Sequence, residues 1–502
     1  MRITIETPTK AYISGATLEE MSSLRKYLSY TNVSTLMKYK KLVKNQWAKK
    51  RDPEGWAVEC EELKKASFCS LVFEDDRGAY VRAGSIPYLI EQKLISPDSV
   101  GNNVKYPAYK PIPWAHMPKH SLYPYQKSTV DKLIEEKHGC AVLCTGAGKS
   151  LAMLTIARNM GLKTLIVTPS QSIFSEILEQ CEHYFGKGMV GGFGDGKKVT
   201  NKKITVCISK SITMLKPDSE HFRNIRSVQV VLFDEAHTIG AESLDEICHG
   251  TLGDIPYRFF FTGTHTRGDG AVKLLESITG RVVEELSTKE AIEGGYICDH
   301  EFRIVKVKSD DSKHWVSDGI AMKRFHFLRN SNISDFIVKL ATSVFISKNE
   351  KTLVLVDEVG QIASLIKKLK IPYAYAHSGA NKKELEKLGL EVVDVQESIE
   401  KFNKGEVAIL IGTGCIGTGV NMYPTHHCVN FQGGSSEVKT KQGAVGRGIR
   451  KLKGSDFEHL HPEKLKTIIW DFDVQDVKSM EDQLKNRIRY YKHSGKPIKE
   501  VG

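Results

Sequence analysis

The sequence predicts an α/β protein: two tandem parallel-sheet domains preceded by a small α+β domain. Two observations carry this. Short β-branched runs (Thr164–Thr168, Ile204–Ser209, Val228–Phe233, Arg258–Thr262, Thr352–Val356, Val407–Ile411) alternate with segments of helical length, the pattern of a parallel sheet covered by helices. The alternation occurs twice, over about 122–290 and 315–475, whereas residues 1–115 mix strand, helix and hairpin signals without it.

Within the first 115 residues, Met1–Ile13 has the alternation of a strand or hairpin. Ala16–Tyr30 places Leu18, Met21, Leu24 and Leu28 at helical spacing. Ser70–Ala83 alternates around Asp75-Asp76-Arg77-Gly78, a hairpin signal, and Ile86–Leu94 suits a second helix. The stretch 104–121 contains Pro107, Pro111, Pro113 and Pro118 and little periodicity, so it predicts a linker. The expected domains are 1–115, 116–295, 296–480 and a basic helical tail, 481–502. Gly294–Gly319, strand-like at its start and polar in its middle, is expected to join the two large domains.

The 502 residues carry 72 Lys+Arg against 60 Asp+Glu, a formal charge of +12, and residues 1–120 hold 19 basic against 13 acidic side chains. This favours a polyanionic partner such as nucleic acid, although a solvated basic surface accounts for the charge equally well. No stretch is long and apolar enough for a membrane span, and the N-terminus lacks a secretory signal. The ten cysteines are scattered without a C-x-x-C pair, which suits a reducing cytoplasm and indicates neither a zinc site nor a disulfide framework.

The residues with most chemistry are Cys144-Thr145-Gly146-Ala147-Gly148-Lys149-Ser150, between an apolar strand and a helix. Glycines there let backbone N–H groups face phosphate oxygens, and the helix N-terminus adds positive potential. Lys149 would meet the β and γ phosphates of ATP and the Ser150 hydroxyl would hold Mg²⁺. A strict phosphate loop has glycine where this chain has Leu143. Asp234-Glu235-Ala236-His237 follows the apolar run Val228–Phe233, so both acids fall at the ligand-binding edge of a parallel sheet. Asp234 would hold Mg²⁺ and Glu235 would deprotonate the attacking water. Gln126 could pair with an adenine edge, with Tyr123 or Tyr125 stacking on the base; a buried aromatic cluster explains the same residues.

In the second half, Arg447 and Arg450, three apart in Gln442–Arg450, would share a helix face and suit phosphate oxygens. Gly412–Asn421, including Thr413 and Gly419, follows a strand and suits backbone contact with phosphates of ATP or nucleic acid. Leu36–Arg51 contains Lys38, Lys40, Lys41, Lys44, Lys49, Lys50 and Arg51 with Tyr39 and Trp47 among them. Lysines neutralise phosphates and aromatics stack on unpaired bases; a solvated loop is the alternative. Lys485, Arg487, Arg489 and Lys492 near the C-terminus allow the same two readings.

Taken in order, these blocks resemble the superfamily 2 helicases and translocases. The Lys149 loop looks like motif I, Asp234–His237 motif II, Thr262-Gly263-Thr264 motif III, and Thr168-Pro169-Ser170 motif Ia. Thr352–Val356 resembles motif IV, with His377-Ser378-Gly379 after it; Thr413 and Gly419 fall in motif V, Arg447 and Arg450 in motif VI. Within the superfamily the layout is most similar to phage-encoded UvsW-type branch-migration helicases, and more distantly to RecG. The resemblance implies two RecA-like domains, ATP and Mg²⁺ as cofactors, and catalysis by Lys149, Glu235, Arg447 and Arg450. Tyr125, Gln126, residues 145–150, Asp234 and Gly419 would hold the nucleotide. Thr168, Pro169, Ser209, Thr264, Ser378 and Thr413 would contact nucleic acid, together with Lys44, Trp47, Lys49 and Lys50. It implies a monomeric, DNA-stimulated ATPase that remodels branched DNA; an RNA helicase and a non-catalytic binding scaffold are the alternatives. Gln442 lies one step early for motif VI, and Asn421 stands where motif V often has Asp.

Overall fold

The β-branched runs between residues 138 and 286 come together as one eight-stranded sheet. Its order is Lys197–Lys198, Val190–Gly194, Ile204–Ile208, Thr164–Thr168, Val230–Phe233, Tyr257–Thr262, His138–Leu143 and Val282–Leu286. Every pairing is parallel except the short edge ribbon of Val190–Gly194 with Lys197–Lys198. The structure, a computed structural model, describes all residues except 119–120, 145, 237–238, 240, 264–271, 310–318, 378–381, 417–421, 435–448, 450, 454, 494 and 502. The chain forms two units: residues 1–144 with 148–286, and residues 145–147 with 287–502.

The first unit also contains the N-terminal region. Its five-stranded sheet runs Val72–Asp75, Gly78–Arg82, Lys10–Ser14, Arg2–Ile5 and Val100–Asn102. Helix Leu18–Tyr27 starts at a capping box in which Thr17 and Glu20 satisfy each other's backbone N–H groups. This region shares one buried core with the large sheet, running from Ile3, Ala11, Leu24 and Val81 to Val142, Leu165, Phe233 and Phe260. Polar ties reinforce it: the Tyr88 hydroxyl donates to Gly280 O (2.9 Å) and Arg82 pairs with Asp245. The proline-rich linker lies along the first unit, with Ile112 N–H donating to Arg158 O, Ala115 N–H donating to Tyr184 O, and Trp114 against Tyr184 and Phe185.

The second unit is a seven-stranded, all-parallel sheet. Its order is Tyr373–Ala376, Ile409–Gly412, Lys351–Val356, Thr425–Phe431, Lys466–Gln475, Asp299–Lys308 and Ile498–Val501. The strand-like start expected after Gly294 is present, and the expected helical tail is not wholly helical. The segment expected to join the large domains opens with a ten-residue strand, Asp299–Lys308, that belongs to this sheet. The expected helical tail ends in a strand, Ile498–Val501, beside it. The tail strand was hard to see because Lys499 and Glu500 interrupt its apolar pattern. The charge is accommodated locally: Glu301, buried on Asp299–Lys308, is bridged by Arg303, Lys466 and Lys499. Arg487, read as solvated or DNA-facing, is instead buried on helix Lys478–His493 and bonded to Asp471, while Lys485, Arg489 and Lys492 are exposed.

Candidate active site

Strand His138–Leu143 is fully enclosed and ends at the glycine loop, and helix Lys149–Met160 begins where the loop finishes. Gly148 sits at φ +70°, and a Cβ added to it would lie 2.5 Å from the Gln126 amide nitrogen. Glycine is therefore required twice, by the left-handed backbone and by the close approach of Gln126. Gln126 is buried; its amide oxygen accepts from Tyr123 N–H (2.9 Å) and its amide NH₂ donates to Gly148 O (3.3 Å). The side chain assigned to a base thus ties helix Pro124–Glu136 to the phosphate loop. Tyr125 is buried and its ring stacks on that of Tyr123.

Lys149 is the focus of the charge arrangement. Its ammonium donates to Leu143 O (3.3 Å) and lies 2.8 Å from Glu235 Oε1. Leu143, the departure from the strict loop motif, thus contributes a carbonyl, which any residue supplies. Glu235 adopts a left-handed backbone at φ +47° and accepts from Gly263 N–H through Oε2 (3.2 Å). A non-glycine residue in that region costs roughly 1–3 kcal/mol and persists only when its surroundings impose it. Here the Lys149 ammonium and the Gly263 amide both grip the carboxylate.

Asp234 is buried at the end of strand Val230–Phe233. Burial, and then the neighbouring Glu235 carboxylate, push its carboxyl up to about 7 against the pull of Lys149; Glu176, on helix Gln171–Phe185, adds to the rise. Burial opposes the Lys149 charge, but Glu235 and Asp234 outweigh it and hold the ammonium above the ordinary lysine value. One cation is set among acids whose negative charge exceeds it. Such a site suits another cation, and Asp234 with the half-buried Ser150 hydroxyl at the helix start is a fitting oxygen donor pair for Mg²⁺. Among the described residues no group of three or more His, Cys, Asp or Glu side chains could hold a metal.

The other expected site residues divide. The Thr168 hydroxyl is buried and donates to Cys207 O (3.3 Å). Ser209 and Thr413 are buried at strand ends, and Pro169 is half-buried. Lys44, Trp47, Lys49 and Lys50 are exposed, Trp47 at 68%. Thr145, Thr264, Ser378, Gly419, Arg447 and Arg450 lie outside the described residues. Residue order carried no sign of Glu176, because it acts on Asp234 only through folded proximity; Gly263 lies in the Thr262-Gly263-Thr264 block, but its grip on Glu235 is visible only in the fold.

Two family models match this chain. Residues 119–267 match "Type III restriction enzyme, res subunit", and residues 333–451 match "Helicase conserved C-terminal domain". A curated relative, the DNA 3'-5' translocase XPB2 of Sulfurisphaera tokodaii, is 25% identical over 434 residues, covering 78% of this chain and 89% of that protein. Among solved structures, Mss116p bound to ssRNA and AMP-PNP shares the fold at a TM-score of 0.52 and 17% identity, over 76% of this chain and 74% of that one. T4 UvsW matches at a TM-score of 0.41 and 15% identity, over 100% of this chain and 99% of that one. No helix among the described residues is long and apolar enough to cross a membrane. With one helicase module matched in each half, on two parallel sheets, the chain belongs to the superfamily 2 helicases.

Proposed function

We propose that this chain is an ATP-driven DNA translocase that remodels branched DNA during recombination, repair or replication, acting as a monomer. The observation that carries the ATPase part is the Lys149–Glu235 pair at 2.8 Å beside the buried Asp234. The DNA part is supported by similarity along most of the chain to a protein named as a DNA translocase.

Without nucleotide, Lys149 neutralises the proposed general base. The phosphates of ATP compete for the same ammonium. When Lys149 turns to them, the Glu235 carboxylate, still accepting from the Gly263 amide, would orient and deprotonate water. Ser150 and Asp234 would hold Mg²⁺, which supplies charge neutralisation of the phosphates when bound. Gly146 and Gly148, both at positive φ, adopt the backbone that lets loop N–H groups face phosphate oxygens. Arg447 and Arg450 are assigned to neutralising charge on the transferred phosphoryl group. Thr168, Pro169, Ser209, Thr264, Ser378 and Thr413 are assigned to the nucleic-acid backbone; for Thr168 the contact falls to its main chain, its hydroxyl being engaged.

ATP hydrolysis measured with no nucleic acid, blunt duplex DNA, forked DNA and RNA tests this. Forked DNA should stimulate most. Stimulation by RNA alone would replace DNA as the substrate, and an absence of hydrolysis under all four conditions would overturn the ATPase reading.

A further inference from the structure

Residues 33–66 form a helical arm on a narrow stalk. The stalk is a separate two-stranded antiparallel ribbon, Ser29–Thr31 with Phe68–Ser70, in register Thr31 to Phe68. The arm comprises helices Val33–Lys44, Gln46–Arg51 and Pro53–Ala66. Among its described side chains only Cys60 is buried. Met37, Val43, Trp47 and Val58 are exposed on it, and Phe68 at its foot. A helical hairpin that buries so little gains little from its own packing, and this much exposed apolar surface on one projection marks an interaction surface.

Charge identifies the partner. From residue 33 to 51 there are seven basic side chains and no acidic one, while from 52 to 66 five acids (Asp52, Glu54, Glu59, Glu61 and Glu62) outnumber two lysines (Lys64 and Lys65). The arm is therefore polarised, with one basic side suited to a polyanion. Trp47 lies on that side at 68% exposure, with the Arg51 guanidinium 5.3 Å from its ring. An exposed indole beside lysines is the combination that grips single strands, through base stacking and phosphate neutralisation together. Bases inside a duplex are already stacked on each other, so Trp47 needs one that is unpaired.

We propose that this arm engages the boundary between paired and unpaired DNA, Lys40, Lys41 and Lys44 meeting backbone phosphates and Trp47 stacking on the first unpaired base. The proposal rests on the DNA reading above and extends it to a part of the chain outside the helicase modules.

Binding by fluorescence anisotropy, independent of hydrolysis, tests it on the full chain with labelled forked DNA, blunt duplex DNA and forked RNA. Trp47→Ala should weaken forked-DNA binding roughly tenfold, leave blunt duplex nearly unchanged, and be rescued by Trp47→Phe. Replacing residues 33–66 with Asn-Gly closes the ribbon as a two-residue hairpin, because Asn32 N–H already donates to Ser67 O (2.9 Å). That variant should lose the preference for forked over blunt DNA and keep its unstimulated ATPase. Unchanged forked-DNA affinity in both variants would overturn the arm's role, while DNA-stimulated ATPase in the same samples would leave the translocase reading standing. Equal loss on blunt duplex would overturn the boundary assignment, and an equal Trp47 dependence on forked RNA would overturn the choice of DNA.

Discussion

Lys149–Glu235 and Arg487–Asp471 are both enclosed cation–carboxylate pairs, one in each unit, and they are built differently. Asp471 receives Arg487 through two nitrogens at 2.7 and 3.0 Å, the Tyr491 hydroxyl at 2.6 Å, and the Phe472 N–H at 2.8 Å. One acid meets one guanidinium, and hydroxyl and amide donors supplement the pair. Burial opposes the Arg487 charge, but Asp471 outweighs it and raises the guanidinium's pKa. Around Lys149, one ammonium faces two adjacent acids, Glu235 is held in a left-handed backbone, and Asp234 is pushed up to about 7. Completeness marks Arg487–Asp471 as architecture. Unbalanced charge marks Lys149–Glu235 as a functional site, since perturbed acids cluster where binding and catalysis occur.

The contrast can be broken most strongly at Lys149. Lys149→Ala should reduce ATP turnover to background, and near-normal hydrolysis would remove the loop from the mechanism. Glu235→Gln should bind ATP, measured with a fluorescent analogue, yet hydrolyse it about 10²–10⁴-fold more slowly; a wild-type kcat would exclude Glu235 as the base. At the architectural pair the readout changes from rate to stability. Arg487→Met leaves Asp471 buried without its cation and should cost about 3–5 kcal/mol in denaturant unfolding, with KM for ATP unaltered in the folded fraction. A KM change as large as the stability change would erase the distinction.

The smallest effect is on pH dependence. Burial and the neighbouring Glu235 push Asp234 up to about 7, against an ordinary value of 3.8, so the fold binds the extra proton between those values. Its contribution to stability is complete below about 3.8 and is lost as pH rises through 7. Asp234→Asn removes this dependence. The melting-temperature advantage of Asp234→Asn over wild type should therefore widen from pH 5 to pH 8, and a constant gap would show that Asp234 is not raised.

Much of this was legible in residue order, some of it only after folding. Glycine at 148, the lysine after it and the acids ending Val230–Phe233 follow local rules of chain geometry, and the sequence displays them directly. The tie from Gln126 to the loop and the burial of Arg487 did not follow. Gln126 was assigned to adenine on chemistry that suits a base edge, and the fold also joins its amide to Gly148 O. Arg487 stands among exposed cations in the sequence, and only the placement of Asp471 and Tyr491 makes its burial tolerable.

The sequence alone determined the alternation of strand and helix, the glycine loop and the excess of positive charge, because these depend on neighbours in the chain. The tertiary structure decided which charges face one another. It set Lys149 against Glu235, drew Ile498–Val501 into the sheet beside Asp299–Lys308 and merged the N-terminal core with that of the first large sheet. Electrostatic and packing energies depend on distance in space, and folding brings together groups that residue order keeps far apart.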